Sequence, residues 1–525
     1  MRAYLASSIA VTCAAALALP LALTTPAGAA AAPAVPPVLP AGTGAAGPAG
    51  DLAGSTQSLP LEPLADPETP SHGRTFGRPD APTGERGLTR RDVRPFSLVG
   101  VVWDDTRAQL HGTVQVRTRA TADGLWSDWQ DVETHNEEHG ADPGTAEGRS
   151  GALRGATAPL WVGDSDGVEI RVRPESQAAE SQASESRASE PQASEPQAPE
   201  SQASESRDSE SQASESHAAQ SRDSESDAPQ SRAPEDRSTP ATPASPVAPT
   251  TLPAGLRLEL VDPGPDPDAD PDAAPAPAAG AARTSRAALA PAASVNAVLP
   301  ALTRAQTLAA LPAADRAALA AKPYIGPRPK IITRKGWGAD EKMRERAFVY
   351  TKTIKAAFVH HSATGNNYTC KQAPSVLRSI YRYHVKSLGW RDFGYNFAVD
   401  KCGNIYEGRA GGVAKAVLGA HTLGFNTNSM GVAVLGTYGS TTPPAAVVTA
   451  VAKLTAWKLG LHGVNPKGKV TLTSGGGNRY KKGSKVKFNA IAGHRDGFAT
   501  ECPGGRLYNK LGTARSDSAK YQGRR

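Results

Sequence analysis

The chain has 525 residues, more than one ordinary domain holds and enough for two or three. Aromatic residues make up only 5%, while Gly (51) and Pro (44) are plentiful, which excludes a packed core along the whole length. The net charge of +7 is unevenly spread. From Arg328 onward there are 33 Lys and Arg against 9 Asp and Glu, a net of +24, which leaves −17 for the residues before it.

Residues 1–30 read as an export signal. Arg2 supplies a positive end, residues 5–23 form a largely apolar stretch broken by Ser7, Ser8 and Pro20, and Ala27-Gly-Ala29 has cleavage spacing. The stretch is Ala-rich and broken, short of the ~20 strongly apolar residues that span a bilayer. We therefore expect no stable membrane anchor and a product that is secreted or held at the cell wall. The basic part then favours anionic wall polymers or merely solvent, and no motif directs it to nucleic acid. Cys13 leaves with the signal. Cys370, Cys402 and Cys502 remain, and an odd number in an exported protein implies one pair and one cysteine kept for another task.

Residues 31–90 are rich in Pro, Ala and Gly without periodicity and read as a disordered leader. Residues 91–174 alternate as strands, as in Thr113-Val-Gln-Val-Arg-Thr-Arg119 and Val168-Glu-Ile-Arg-Val172, and predict a small all-β module with no catalytic constellation. Residues 175–251 carry a five-residue repeat of the type Glu-Ser-Gln-Ala-Ser. Five matches no helical or strand face, and almost nothing in it is apolar, so a flexible low-complexity insert is expected. Residues 252–263 contain Leu256-Arg-Leu-Glu-Leu-Val261, a lone strand that we expect to return to the β-module, with the repeat as a loop insertion. Residues 264–326 read as a linker with an Ala/Leu-rich, helix-compatible stretch at 301–321.

Residues 327–512 show an α/β texture, and 513–525 read as a basic tail. Residues 356–360, 394–400 and 430–435 predict strands, and 374–386 a helix with Val376, Leu377, Ile380 and His384 on one face. Thr442-Pro443 predicts the start of another helix. Residues 467–487 read as a basic hairpin, either gripping anionic polymer or forming a solvated edge. The fold class expected is an α/β domain with a mixed central sheet flanked by helices, tethered flexibly to the all-β module by long disordered linkers.

Three residues invite metal chemistry: His360, His494 and Cys502. Side chains alternate across a strand, so His360 and His361 face opposite ways and one alone points into a site. Two imidazoles and a thiolate suit zinc and leave a fourth position open for water. From spacing alone a strand-end histidine is more often a packed or surface residue, and the leftover cysteine is what favours the metal.

The ordered motifs are more specific. They run Arg334-Lys-Gly-Trp-Gly-Ala-Asp340, Val359-His-His-Ser-Ala-Thr364, Tyr383-His384 and Gly389-Trp-Arg-Asp-Phe-Gly-Tyr-Asn-Phe397. Gly403-Asn-Ile-Tyr-Glu-Gly-Arg409, Gly419-Ala-His-Thr422, Gly424-Phe-Asn426, Asn428-Ser-Met-Gly431, Gly493-His-Arg-Asp496 and Cys502-Pro-Gly504 follow. This domain resembles the peptidoglycan-recognition-protein and phage-T7-lysozyme-type N-acetylmuramoyl-L-alanine amidases, and the chain is similar to secreted actinobacterial amidases. The resemblance implies zinc on His360, His494 and Cys502, a catalytic Tyr395, and Thr500 where the phage enzyme has lysine. It implies peptidoglycan as substrate, with His384, His421 and Asn426 along the cleft, His384 being otherwise a satisfied core histidine. With Cys502 assigned to zinc, Cys370 and Cys402 remain to form a disulfide. Glu407 is either an acid for the leaving amine or a structural partner of Arg409 or Arg382. The alternative function is a non-catalytic peptidoglycan-binding module, and retention of Cys502 favours the enzyme.

Overall fold

The computed structural model describes residues 54–64, 84–175, 251–266, 297–311 and 324–525. The export signal, the body of the pentapeptide repeat and most of the linker lie outside these residues. Among the described residues, no helix is long and apolar enough to cross a membrane.

The first part is an antiparallel sheet of β1 (Thr56–Pro60), β2 (Glu62–Pro63), β3 (Arg86–Trp103), β4 (Gly112–Ala120), β5 (Gln130–Val132), β6 (Gly155–Ala156), β7 (Leu160–Pro174) and β8 (Arg257–Val261). Its main order is β1-β8-β3-β7-β4-β5. The strand after the repeat does return to this sheet, with Leu258 opposite Val101 on β3. Residues 31–90, expected to be a disordered leader, contribute β1, β2 and the start of β3. Their sequence carries little alternation. β1 forms because β8 offers it a ladder, Leu59 opposite Leu258, so pairing rather than local propensity makes the strand.

The second part is a mixed seven-stranded sheet built from β9 (Val298–Leu299), β10 (Ile331–Ile332), β11 (Ala356–His361), β12 (Phe397–Val399), β13 (Ile405–Glu407), β14 (Ser429–Val434) and β17 (Ile491–Gly493), in the order β17-β11-β14-β12-β13-β10-β9. β17, β11, β14 and β12 are parallel neighbours. Helices cover both faces of this sheet, so its central strands are buried throughout and read as unbroken runs such as Ser-Met-Gly-Val-Ala-Val. The helix Ala445–Gly460 packs on one face with Val359, Met430, Val432 and Val434. The helix Ala373–Arg382 packs on the other with Ala398, Ala433 and Leu435. It ends in a wider turn, Tyr383–Ser387, that carries His384.

Both predicted edges of this domain move outward. The linker's last part joins the domain: β9 pairs with β10, and Leu299, Leu308 and Ile325 enter its core. The expected basic tail is mostly a helix, Leu511–Tyr521, packed on Ala445–Gly460, with Thr455 donating to Ser518 at 3.0 Å. The hairpin of β15 (Lys469–Thr473) and β16 (Lys485–Asn489) turns Leu472 and Phe488 against Phe358 and Phe425, so only one of its faces is basic and solvated.

The two domains are not merely tethered. On β3, Val99, Val101 and Trp103 fill the β-domain's own core, while Leu98 and Val102 join Trp161 and Val261 against Val376, Leu377 and Ile380. A strand with two apolar faces needs two partners, and the helix Ala373–Arg382 is the second. Gly100 stands between Leu98 and Val102. A Cβ there would lie 2.4 Å from the Tyr383 hydroxyl oxygen, which donates to the carbonyl of Thr157 at 3.1 Å. Gly100→Val is therefore expected to lower the urea midpoint by the equivalent of about 1–3 kcal/mol, the usual cost of overpacking. An unchanged midpoint would show that the domains do not depend on this contact.

Candidate metal centre

The site forms at the carboxyl ends of parallel strands, where α/β sheets generally bind ligands. His360 is the fifth residue of β11, and His494 follows β17 directly, with Val359 opposite Gly493. Cys502 is brought back by a short loop. Arg495 N–H donates to the Cys502 carbonyl at 2.9 Å, and Cys502 N–H donates to Thr500 Oγ1 at 3.1 Å. Gly504 follows with φ +86, where a Cβ would sit 2.4 Å from the Tyr438 carbonyl carbon, so this turn needs glycine.

Cys502 Sγ lies 3.8 Å from His360 Nδ1, and the His360 and His494 rings are 4.4 Å apart. His139 of the β-domain stands with them, its ring 4.7 Å from His494 and 5.4 Å from His360. One ligand atom from each of the four lies within 4.8 Å of the others. Both ring nitrogens of His494 and of His139 are buried without a hydrogen-bond partner. Orphaned buried nitrogens normally cost about 1–3 kcal/mol each, and a cation at their centre would satisfy them. Imidazole nitrogen and thiolate sulfur are both zinc donors, so these residues fit that metal.

The electrostatics agree. Burial, with neighbouring imidazoles second, pushes His360 and His494 well below the usual histidine range, which keeps them neutral as ligands must be. Burial also pushes His139 down to about 3. Burial, reinforced by the Glu138 charge, raises the Cys502 thiol, and a coordinated cation reverses that by removing its proton.

The other predicted residues surround this cluster. The Tyr395 ring is 5.2 Å from that of His360. Burial, then the charges of Cys502 and Glu138, hold its hydroxyl well above the usual tyrosine range, so it remains a proton donor. Thr500 donates to Glu138 Oε1 at 2.6 Å. Burial, with Glu137 second, pushes Glu138 up to about 7. His421 shares Thr422 Oγ1 with His360, at 2.9 and 3.3 Å. Asn426 Oδ1 accepts from the backbone N–H groups of His421 and Thr422. His384 stacks on Trp390 at 4.3 Å, and its Nδ1 accepts from Gly394 N–H, a buried imidazole 5.9 Å from the Tyr395 ring. His361 faces away, beside Tyr438 N–H. Cys370 and Cys402 are joined in a disulfide.

Glu407 takes neither predicted partner. It accepts from Arg334 N–H at 3.2 Å. Arg409 instead forms a two-pronged pair with Glu147 of the β-domain, both contacts at 2.8 Å. The β-domain, expected to hold no chemistry, thus supplies His139, Glu138 and Glu147 from the loop after β5. Their sequence signal is Glu133-Thr-His-Asn-Glu-Glu-His139, a polar run with no strand alternation and two histidines.

Residues 350–505 match the family model described as "N-acetylmuramoyl-L-alanine amidase". Residues 49–202 match one described as "Rv3811 N-terminal galactose-binding domain-like". Over 185 residues the chain is 31% identical to peptidoglycan-recognition protein SC2 of Drosophila melanogaster, covering 35% of this chain and 85% of the fly protein. The chain belongs to the peptidoglycan-recognition-protein and amidase family. It is also 31% identical over 189 residues to the N-acetylmuramoyl-L-alanine amidase of Homo sapiens, covering 28% of that protein. Among solved structures, Drosophila PGRP-LB matches over 35% of this chain and 92% of its own at 26% identity, with a TM-score of 0.28. The family's members are peptidoglycan-related amidases and recognition proteins, and its α/β domain here is preceded by the galactose-binding-like all-β domain.

Glu147 is buried, and although burial alone would raise it, the Arg409 guanidinium holds its carboxyl below the usual range. Arg409→Met leaves that carboxylate uncompensated and is expected to cost roughly 3–5 kcal/mol in urea unfolding. Adding Glu147→Met should recover most of the loss. A single variant within about 0.5 kcal/mol of the parent would contradict a buried pair at this position.

Proposed function

We propose that this chain is a secreted, zinc-dependent N-acetylmuramoyl-L-alanine amidase that cleaves the amide between the lactyl group of N-acetylmuramic acid and L-alanine. The observation that carries the reading is the convergence of His360, His494 and Cys502 beside Tyr395. The α/β domain would comprise residues 297–525, and the β-domain residues 54–175 with 251–266. The β-domain, by its family likeness, is either a wall-binding module or a spacer, and the basic face of the hairpin suits anionic wall polymer. The export signal read at residues 1–30 supplies the route to the wall.

His360, His494 and Cys502 would hold the zinc. Zinc bound there supplies a Lewis acid for the scissile carbonyl and lowers the pKa of its water to ~7. Tyr395, protonated in its dry setting, donates a hydrogen bond to the oxygen on which charge develops. Such a donor is typically worth about 3–4 kcal/mol in the transition state. The Thr500 hydroxyl would assist once it leaves Glu138. The backbone N–H of Cys502 fixes that hydroxyl from behind. His421 and Asn426 brace the loop over β14 and present polar groups to the stem peptide. His384 shapes the wall of the cleft behind Tyr395.

The test is mass spectrometry of purified peptidoglycan after prolonged incubation with excess full-length chain and zinc. Stem peptides with a free N-terminal L-alanine are expected, and they should disappear on chelation or with Cys502→Ser. Tyr395→Phe should keep its zinc and lower kcat by roughly 10²–10³. A zinc-loaded chain that sediments with the wall yet leaves the amide intact would instead establish the recognition-module reading.

A further inference from the structure

The loop between β5 and β6 enters the cleft of the α/β domain and is fastened there along its length. The Glu138 carbonyl accepts from Leu423 N–H at 3.0 Å, and its side chain accepts from Thr500. The Gly140 carbonyl accepts from Asn426 Nδ2 at 2.9 Å. Asp142 Oδ1 accepts from Gly424 N–H and Asn426 Nδ2, both at 2.8 Å. Glu147 closes the far end on Arg409.

These fastenings use the groups that a stem peptide needs. Asn426, Thr500 and the loop carrying His421 are already engaged by the chain itself. His360, His421 and His494 are 0% exposed, Asn426 1% and Cys502 2%. A wall polymer cannot reach groups so enclosed while the loop is in place.

At the tip stands His139. Its side chain is 8% exposed, and its nearest carboxylate, Glu138 Oε1, is 3.9 Å from Nδ1, beyond hydrogen-bond reach. Both of its nitrogens are buried and unpartnered, and one ligand atom of its ring lies within 4.8 Å of those of His360, His494 and Cys502. A four-ligand centre of this kind is coordinatively closed, the arrangement of structural rather than catalytic zinc.

We propose that His139 is a fourth protein ligand of the metal, so that residues 133–154 hold the chain in a latent form whose cleft opens only when this loop is displaced. This rests on the zinc-amidase reading and adds to it a closed coordination state. The loop belongs to the domain whose relatives are galactose-binding-like. Engagement of that domain by a wall polysaccharide is one event that would strain its contacts with the cleft.

The test loads the full-length chain, His139→Ala and His139→Leu with cobalt(II) and follows the visible spectrum while acetohydroxamate, a small metal-binding probe, is added. The parent's spectrum should be unmoved by the probe. Both variants should start from a different spectrum and shift saturably. Their zinc affinity, measured by chelator competition, should fall by roughly 10–100-fold or more. Their release of stem peptides should rise by about 10–1000-fold, the inverse of an open state populated at roughly 0.1–10%. Parent and variants with the same spectrum, the same affinity and the same response to the probe would overturn the fourth ligand while leaving the amidase reading intact. Slower release by the variants with an unchanged spectrum would also overturn it, making His139 part of the reaction instead. Failure of all three chains to take up cobalt or zinc would remove the zinc-amidase reading itself.

Discussion

The structure depends on the burial of three imidazoles and one thiol around a common point. Their ligand atoms lie within 4.8 Å of one another, and the nitrogens of two rings have no hydrogen-bond partner. A fold tolerates such a cluster only if something compensates for the lost hydration. The local architecture serves this convergence. Parallel strands deliver His360 and His494 side by side, and the turn at Gly504 brings Cys502 back to them. Tyr395 is kept protonated by the dryness that keeps the histidines neutral.

The same burial requires the β-domain. Without the loop after β5, the Arg409 guanidinium would lose the Glu147 carboxylate, the Asn426 amide nitrogen would lose Asp142 and the Gly140 carbonyl, and the cluster would lose His139. The contact is wide as well as polar. β3 presents two apolar faces, one to its own sheet and one to the helix Ala373–Arg382. The uneven charge along the chain has a structural counterpart here, because Glu138, Asp142 and Glu147 of the acidic part are set against the basic part. Holding both domains together and filling the cleft are therefore one arrangement.

Much of this was legible in the sequence. Strand alternation marked β4, β7 and β8, and apolar runs marked β11 and β14, because those elements are made by local pattern. The ligand candidates were legible only faintly from spacing, more from the odd cysteine, and chiefly from the resemblance that the ordered motifs carry. Pairing partners were not. β1 exists because β8 lies beside it, and β9 because β10 does, and neither fact leaves a trace in local periodicity. The helix Leu511–Tyr521 was obscured by its polar composition, since it buries mainly Leu511, Ala514, Ser518 and Ala519. His139 was missed for a related reason. A histidine in a polar loop acquires meaning only when the loop is docked more than 200 residues away in sequence, against His360 and His494.

X-ray absorption at the zinc edge of the full-length chain tests the central claim most directly. The account predicts a four-coordinate centre with one sulfur at about 2.3 Å and three imidazole nitrogens at about 2.0–2.1 Å. A spectrum without sulfur would contradict the metal centre itself, and one with sulfur and only two imidazoles completed by oxygen would contradict the closed, four-ligand state.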